Sequence, residues 1–353
     1  MRINITLPLR YELLGYAAGG GMGDILECQD LHLGRRVIVK ILKEDEEERR
    51  LLDEQKALAK LRSKHVVQLF DVIDIEINQR IRKALVLEYL SGSDLSNNKK
   101  TDTLELQKIL WQVSCGLADI HKSNIIHRDI KPNNIREDAL GVVKIFDFGL
   151  ARKNGTEALT RSVIGTVGFM APELWRNGEV SFDNKIDVYA FGVLALNLFK
   201  IHPPLELVSM PPQPVLVIES LKAKLPGDVY NIIMKCLSYD KNERPSMDEV
   251  KVTLARNLLK GKHRALIVMG NKTHEVNIKS PGATITWGNN YSLTIKYNGF
   301  DYFVVNIDGV AQINNKIINA DDVFPECCVI TLNSSSGKRI FVTFDISNPE
   351  VMS

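Results

Sequence analysis

Two kinds of hydrophobic patterning divide the chain. Up to about residue 258, apolar residues recur at helical spacing in some stretches and in continuous runs in others. Residues 46–61 place apolar side chains at helical spacing, whereas residues 84–90 and 142–146 are mostly apolar runs that predict buried strands. This part of the chain is therefore predicted to contain both strands and helices.

Residues 264–353 have a different pattern of residue types. Short segments rich in Val, Ile, Thr and aromatic residues are separated by turn pairs such as Pro-Gly, Asn-Gly and Asp-Gly. The strand candidates are ALIVM, ATITW, SLTIKY, DYFVVNI, CCVITL and RIFVTFDI. About six or seven strands in roughly 90 residues favour an all-β sandwich or barrel over parallel strands joined by helices.

Length and composition limit the possible classes. The 353 residues leave room for one large domain and a second, smaller one, and an apolar content of 44% supports a real core. A net charge of +2 gives no reason to expect nucleic acid or an anionic membrane as a partner. The N-terminal residues lack a signal-peptide pattern, and the longest apolar stretch, residues 188–199, is far too short for a membrane span. We therefore expect a cytoplasmic protein.

The five cysteines are scattered and odd in number, and they show neither a disulfide framework nor the spacing of a zinc site. Cys327 and Cys328 are adjacent and cannot form an ordinary bridge to each other within a strand. Burial of both as small apolar residues is the favoured interpretation over metal binding.

The candidate chemistry lies in residues 125–149. The triplet His127-Arg128-Asp129 comes first, Lys131 and Asn134 follow, and Asp147-Phe148-Gly149 stands 18 residues after Asp129. Either triplet alone arises by chance in solvated turns, but both in this order, with a strand-like segment between them, form a specific pattern. The pattern resembles the catalytic loop and metal-binding turn of the eukaryotic-type protein kinases.

The resemblance implies a role for each residue. Asp129 would accept or orient the proton of the substrate hydroxyl, and Lys131 would steady the transferring phosphate. Asn134 and Asp147 would supply oxygen ligands to Mg²⁺, or to Mn²⁺ in its place, and ATP would be the phosphoryl donor. The pair Lys131-Pro132 is the form of the loop found in serine/threonine kinases, so Ser and Thr hydroxyls are the expected acceptors.

The N-terminal third supplies the nucleotide-binding parts that this resemblance requires. Residues 17–25 read AAGGGMGDI and are similar to the glycine-rich loop of bacterial members of the family. Glycines allow the backbone to turn tightly and approach phosphate closely. The candidate nucleotide-binding positions here are Ala18, Gly19, Gly20, Gly21, Gly23 and Ile25, and Lys40 follows as the residue for the α- and β-phosphates. Ala18 stands where the family has its first glycine, and Ile38 stands where it has a small alanine over the adenine.

Lys40 needs a carboxylate partner on the following helix. By offset in the family, Glu54 is that partner, while the alternative is a solvated charged face, which fits most of residues 44–48. The hinge follows at residues 84–90, where Leu87 would be the gatekeeper. The resemblance implies that the backbone of Glu88 and Leu90 bonds the adenine and that Asp94 reaches the ribose, and it makes all three candidate nucleotide-binding residues.

Residues 165–173, GTVGFMAPE, are similar to the segment that closes the activation loop of protein kinases. Small-molecule kinases generally lack this segment, so protein substrates are favoured. Two architectural anchors also match, Asp187 on a predicted buried helix and an ion pair between Arg244 and Glu173.

Arg128 is a predicted buried or half-buried cation that needs an anion. A phosphate on the activation loop would serve, since it adds about −1.5 to −2 charge. The candidate sites are Thr160 and Ser162, where the family is commonly phosphorylated, and Thr166, where it contacts substrate. The alternative is that these are ordinary polar loop residues.

The fold class expected from the resemblance is α+β, a bilobal kinase fold with a β-rich N-lobe and an α-helical C-lobe, followed by a small all-β sandwich. The boundaries are residues 9–258 for the kinase domain, about 9–88 for its N-lobe, about 91–258 for its C-lobe, 259–264 for a linker and 265–353 for the β domain.

Residues 307–332 resemble the end of a forkhead-associated domain, in which a V-N-G-like turn precedes a later strand. Residues 287–290, WGNN, would occupy the place of that family's Gly-Arg pair, but the arginine is absent and no S-x-x-H follows. These residues hold phosphothreonine in the family, so phosphopeptide binding does not follow from the resemblance. Another kind of β-sandwich remains an alternative, and the expected partner is a protein or an intramolecular contact.

The favoured function is an ATP- and Mg²⁺-dependent serine/threonine protein kinase that phosphorylates its own activation loop, with the β domain serving recognition or regulation. One alternative is a pseudokinase-like nucleotide-binding scaffold, because Ala18 and Ile38 depart from the nucleotide pattern. The other alternative is a small-molecule phosphotransferase.

Overall fold

The computed structural model describes residues 5–20, 23–41, 54–153, 168–175, 183–288, 291–333, 339–347, 349 and 351. The chain forms two compact units, Met1–Leu254 and Ala255–Ser353. The order predicted from the sequence, a β-rich part, then a helical part, then an all-β part, is confirmed.

An antiparallel sheet opens the first unit. Its strands are β1 (Ile5–Thr6), β2 (Tyr11–Gly20), β3 (Gly23–Asp30), β4 (Arg35–Ile41), β5 (Leu69–Ile77) and β6 (Arg80–Glu88), and they lie in the order β1-β5-β6-β4-β3-β2. Alternation along β4 divides its side chains between two faces. Val37, Val39 and Ile41 enter one apolar cluster together with Leu26 and Val86, which leaves Ile38 and Lys40 on the opposite face.

Helices dominate the rest of the first unit. They are α1 (Thr103–Lys122), α2 (Lys185–Leu198), α3 (Leu205–Val208), α4 (Glu219–Lys222), α5 (Gly227–Cys236) and α6 (Met247–Leu258), the last four residues of which belong to the second unit. Asp102 caps α1 by accepting a hydrogen bond from the backbone N–H of Glu105. Twelve of the 14 residues of α2 are buried, so this helix forms the centre of the core rather than its edge.

One short strand precedes α1 and four lie between α1 and α2, namely β7 (Ser93–Asp94), β8 (Ile125–Ile126), β9 (Ile135–Glu137), β10 (Val143–Ile145) and β11 (Arg152–Lys153). They pair as a three-stranded sheet in the order β10-β9-β7 and a two-stranded ribbon of β11 and β8. The run at 142–146 that predicted a strand forms β10.

The helix predicted over residues 46–61 is only partly correct. Residues 54–58 are helical, and residues 46–53 lie outside the described residues. The prediction is wrong at the C-terminal end, where Lys60 and Leu61 donate their backbone N–H groups to the carbonyls three residues earlier and form a tighter turn.

The second unit is an all-β sandwich, as predicted. Its strands are β12 (Ala265–Met269), β13 (Lys272–Val276), β14 (Gly282–Trp287), β15 (Tyr291–Tyr297), β16 (Tyr302–Asp308), β17 (Val310–Ile313), β18 (Lys316–Ile317), β19 (Cys327–Asn333) and β20 (Arg339–Ile346). One sheet has the order β13-β12-β20-β19-β17-β18 and the other has the order β14-β15-β16. Apolar side chains of both sheets, among them Ile267, Ile295 and Phe344, form one common core.

Two sequence expectations need correction in this unit. The strands β13, β17 and β18 did not stand out in the sequence, because they are short or lack a run of apolar residues. Cys328 is buried, but Cys327 is exposed, because successive side chains of β19 point to opposite faces of the sheet.

Residues assigned to a linker make hydrogen bonds within the second unit. The N–H of Gly261 donates to the carbonyl of Gly299 at 2.8 Å, and the N–H of Arg264 donates to Oγ of Ser347 at 3.0 Å. In the described part of the chain, every helix is too short or too polar to cross a bilayer.

Arg244 is a buried anchor of the first unit, with a side chain that is 0% exposed. Its guanidinium donates to both carboxylate oxygens of Glu173 at 2.8 Å, and to the carbonyls of Ser238 and Lys185 at 2.9 and 3.0 Å. The ion pair expected from the sequence is therefore present. It ties the short helix Pro172–Trp175 to the loop before α6.

Replacing Arg244 tests how much this anchor contributes. Arg244→Ala should lower the free energy of unfolding of the first unit by about 3–5 kcal/mol, because Glu173 loses its charged partner. Lys83→Ala is the control, since its ion pair with Asp74 of the same unit is exposed and should contribute less than about 1 kcal/mol. Urea unfolding and calorimetry measure both, and equal losses in the two variants would contradict the assignment.

Candidate active site

One buried ammonium group joins three segments of the first unit. Lys40, on β4, places its Nζ 2.8 Å and 3.0 Å from the two carboxylate oxygens of Glu54, and 2.9 Å from Oδ1 of Asp147. The side chain of Glu54 is 0% exposed and that of Lys40 is 8% exposed. Charges removed from water to this degree need partners in direct contact, and these carboxylates are the partners of Lys40.

The electrostatics of this cluster oppose the effect of burial. Burial alone would lower the pKa of Lys40, but the Glu54 and Asp147 carboxylates raise it above its ordinary value. Burial alone would raise the pKa of Asp147, but the neighbouring Lys40 ammonium holds it below its ordinary value. Both groups are therefore charged at neutral pH.

The backbone at Asp147 is fixed by its neighbours. Asp147 has a φ of 65°, in the left-handed region that non-glycine residues seldom adopt. The following residue, Phe148, is fully buried, its N–H donates to Glu54 at 3.3 Å, and its ring lies 4.7 Å from that of His127. These contacts of Phe148 hold the turn that places the Asp147 carboxylate beside Lys40.

A second buried carboxylate shapes the loop before Asp129. Asp187, on α2, accepts hydrogen bonds from the backbone N–H groups of His127 and Arg128 at 2.8 and 2.9 Å. The ring of His121 lies 3.0 Å from the same carboxylate, and Arg128 has a left-handed φ of 73°. Burial alone would raise the pKa of Asp187, but the hydrogen bond with His121 lowers it, so the carboxylate stays ionised. Sequence reasoning identified Asp187 but missed His121.

The loop itself brings Asp129, Lys131 and Asn134 together. Nδ2 of Asn134 donates to the backbone carbonyl and to Oδ2 of Asp129, both at 2.8 Å. Nζ of Lys131 lies 2.8 Å from the same Oδ2. The carboxylate of Asp129 is thus oriented by an amide and a cation, an arrangement that can position a hydroxyl group and take up its proton.

Asn134 and Asp147 fit the coordination chemistry of Mg²⁺. Their oxygens are hard donors, and Mg²⁺ in proteins is commonly held by one or two such groups together with substrate phosphates. The N–H of Phe146 donates to the carbonyl of Asn134 at 3.0 Å, which ties the two segments to each other. Because Nδ2 of Asn134 points at Asp129, its amide oxygen is the atom suited to a cation.

The residues that were expected to cover the nucleotide lie on β2, β3 and β4. Ala18 pairs with Ile25 and Ile25 pairs with Lys40, so these positions share one row of the sheet. Gly19 and Gly20 pair with Asp24 and Gly23 at the ends of the same two strands. Ile38 is half-buried and pairs with Leu87. Gly21 lies outside the described residues.

The predicted hinge begins where β6 ends. Glu88 accepts hydrogen bonds from Nζ of Lys144 at 2.9 Å and from the backbone N–H of Gln68 at 3.2 Å. The carbonyl of Leu90 accepts a hydrogen bond from Arg136 at 3.1 Å. Lys144 lies on β10, which leads to Asp147, and Arg136 lies on the neighbouring strand β9, so both strands are connected to the hinge. No sequence pattern indicated these contacts.

Asp94 follows the hinge as the cap of a short 3₁₀ turn, Leu95–Asn97, where its side chain accepts from the N–H of Ser96. The candidate phosphorylation sites Thr160, Ser162 and Thr166 lie outside the described residues.

Comparisons with known proteins agree with this geometry. The protein kinase domain family matches residues 11–253. The serine/threonine-protein kinase PrkC of Bacillus subtilis is 31% identical over 262 residues, which are 69% of this chain and 40% of that protein. PknA of Mycobacterium tuberculosis, named a serine/threonine-protein kinase, is 35% identical over 205 residues, which are 55% of this chain and 47% of that protein. In both cases the match spans less than half of the relative's length.

The charge cluster predicts a pH dependence of stability. Asp147 has a lowered pKa in the folded protein, so its contribution to stability is present above the ordinary value of 3.8 and is lost as the pH falls below it. Asp147→Asn should therefore flatten the loss of unfolding free energy below about pH 4. Asp74→Asn, which alters an exposed pair with Lys83, is the control and should change that slope little. Urea unfolding at a series of pH values measures the slope, and an unchanged acid limb in Asp147→Asn would contradict the assignment.

Proposed function

The chain belongs to the protein kinase family, and from this membership and the geometry around Lys40 we propose that it transfers the γ-phosphoryl group of ATP to serine and threonine hydroxyls of proteins. The observation that carries the proposal is the contact of Lys40 with both Glu54 and Asp147 beside the oriented carboxylate of Asp129. Phosphoryl transfer depends mainly on positioning and charge neutralisation, and this site provides both.

The nucleotide is held at its phosphates and at its base. Lys40 binds the α- and β-phosphates, while Asn134 and Asp147 hold a divalent cation, Mg²⁺ or Mn²⁺. When bound, ATP and the cation supply the phosphoryl group and neutralise the charge that develops on it. The backbone of Glu88 and Leu90 contacts the adenine, and the strands that carry Ala18 to Ile25 cover the phosphates.

The acceptor hydroxyl is positioned by the loop from Asp129 to Asn134. Asp129 orients the hydroxyl and takes up its proton, and the amide of Asn134 keeps the carboxylate in place. Lys131, in contact with the same carboxylate, steadies the phosphoryl group during transfer. The names of the relatives as serine/threonine-protein kinases support Ser and Thr as acceptors.

We infer that the chain phosphorylates its own activation loop at one or more of Thr160, Ser162 and Thr166. Arg128 supports this, because it is a buried cation directly before Asp129. A phosphate held near it would couple the state of the loop to the catalytic carboxylate.

We assign the second unit a role in protein recognition or regulation. Its own core supports this, because a separately packed module can present a binding surface without taking part in the chemistry. Its weak resemblance to forkhead-associated domains stays a proposal. Trp287, at the position where those domains begin their phosphate-binding pair, is buried and donates to the carbonyl of Asn333 at 3.0 Å. Recognition of an unmodified protein surface is therefore favoured over phosphothreonine.

Labelled ATP tests the activity directly. With Mg²⁺, the full chain should label itself and a generic protein substrate, and Lys40→Ala and Asp147→Ala should abolish this labelling. Asp129→Asn should lower the rate by about 10²–10⁴, the typical contribution of a positioned acid or base. Asp74→Asn is the matched control and should act like wild type. Equal labelling by all these proteins would overturn the proposal.

Binding separates this proposal from a catalytically inactive scaffold. Mg²⁺-ATP should raise the thermal midpoint of wild type, and the shift should persist in Asp129→Asn and shrink in Asp147→Ala. Binding without transfer in wild type would favour the scaffold, and turnover of metabolites without protein labelling would favour a small-molecule phosphotransferase.

Mass spectrometry after incubation with ATP tests the proposed autophosphorylation. Phosphate is expected on residues between Asp147 and Glu173 in wild type and should be absent in Lys40→Ala. Labelling confined to other parts of the chain would contradict the regulatory assignment.

A further inference from the structure

The outward face of the six-stranded sheet in the second unit carries exposed apolar side chains. We define this outer face by Leu266, Val310, Val329, Phe341 and the strand positions between them. Phe341, near its middle, is 62% exposed, and Leu266 and Val329 are each 45% exposed. The outward face of an antiparallel sheet is ordinarily polar, whereas here exposed apolar side chains lie among polar ones such as Thr343 and Gln312.

The other sheet of the same unit provides the contrast. Its outward positions include the polar residues Thr284, Thr294, Lys296 and Asn306, and Thr284 and Thr294 are hydrogen-bonded to each other. Its outward apolar residues are Phe303, which lies opposite Lys296, and Val305, which is 38% exposed. Among the described strand residues of this unit, large apolar side chains that are at least 45% exposed occur only on the six-stranded sheet. The difference marks the six-stranded sheet as the side suited to an apolar partner.

Strand register places opposite charges at the two ends of the outer face. Asp345 lies opposite Leu266 on one side and Cys327 on the other, and Glu275 lies opposite Leu266, so this end is acidic. Arg339, on the same strand β20 as Asp345, lies at the other end, opposite Asn333. Six residues separate the two charges, which corresponds to about 20 Å along a strand.

We propose that two copies of this chain associate through their outer faces about a two-fold axis. An axis that lies between the sheets and runs perpendicular to β20 reverses the strand direction of the second copy. Asp345 of each copy then meets Arg339 of the other, and Phe341 of each copy lies over Thr343 of the other. The Asp345–Arg339 ion pair and the Phe341–Thr343 contact therefore each form twice, as an isologous interface requires.

The charge pattern favours a second copy of this chain, rather than an unrelated protein, as the partner that binds the outer face. An acid and a base at opposite ends of one strand are self-complementary under this rotation, whereas an unrelated partner would need a matching pair of charges at the same separation. The apolar residues between them supply the burial, and the ion pairs fix the orientation.

The size of the outer face limits the strength of association. Six strands about 4.8 Å apart span roughly 24 Å, and with about 20 Å along the strands the face offers roughly 500 Å² in projection. A standard interface buries about 800 Å² per partner, so the dimer is expected to be reversible and dependent on concentration.

Sedimentation velocity on the full chain tests the proposal. Wild type should shift from monomer to dimer as its concentration rises through the micromolar range. Phe341→Lys should weaken association by about tenfold or more, because it places a charge at the centre of the apolar contact. The matched control is Leu140→Lys, which alters an 86% exposed leucine of the first unit and should associate like wild type. A wild type that stays monomeric, or a dimer that Phe341→Lys leaves intact, would overturn the proposal.

A charge exchange distinguishes this interface from any other self-contact of the chain. Asp345→Arg and Arg339→Asp should each weaken self-association, because like charges then meet at both ends. An equimolar mixture of the two variants should dimerise again, since each charge finds its opposite in the other variant. All these positions are exposed, so circular dichroism should show an unchanged fold. If the mixture associates no better than either variant alone, the two-fold arrangement is wrong.

Discussion

The site depends on one buried ammonium group. Lys40 satisfies a fully buried carboxylate, Glu54, and at the same time holds Asp147, whose backbone is in the left-handed region. Removing one member of such a cluster leaves a charge buried without its partner, which typically costs about 3–5 kcal/mol. The strand β4, the helical residues 54–58 and the turn after β10 are therefore held in place together.

A second buried carboxylate binds backbone N–H groups rather than a charged side chain. Asp187 accepts the N–H groups of His127 and Arg128 and so fixes the loop that leads into Asp129. The two carboxylates have different roles, since Glu54 positions a charged side chain and Asp187 fixes the backbone conformation of a loop. Phe148 connects them, because its N–H contacts Glu54 and its ring packs against His127. Together they preorganise the carboxylates of Asp129 and Asp147 before any ligand binds.

Sequence patterns predicted the parts of this structure that are encoded locally. The spacing from Asp129 to Asp147, the apolar strand before it and the strand segments of the second unit are all readable from neighbouring residues. The contact of His121 with Asp187 joins residues 66 positions apart, and that of Lys144 with Glu88 joins residues 56 positions apart. The helical and strand periodicity of the sequence extends over only a few residues, so it does not predict such contacts. The strand β13, KTHEV, was missed because only Val276 is buried, and its place in the sheet comes from pairing with β12.

We propose that this arrangement moves a phosphoryl group from ATP to a hydroxyl oxygen of a protein. Following the γ-phosphate in a single turnover with Mg²⁺, and identifying its final chemical form, tests this most directly. For each ADP formed, we expect one phosphate ester on serine or threonine. Release of the γ-phosphate only as inorganic phosphate, or ATP that stays bound and intact, would contradict it.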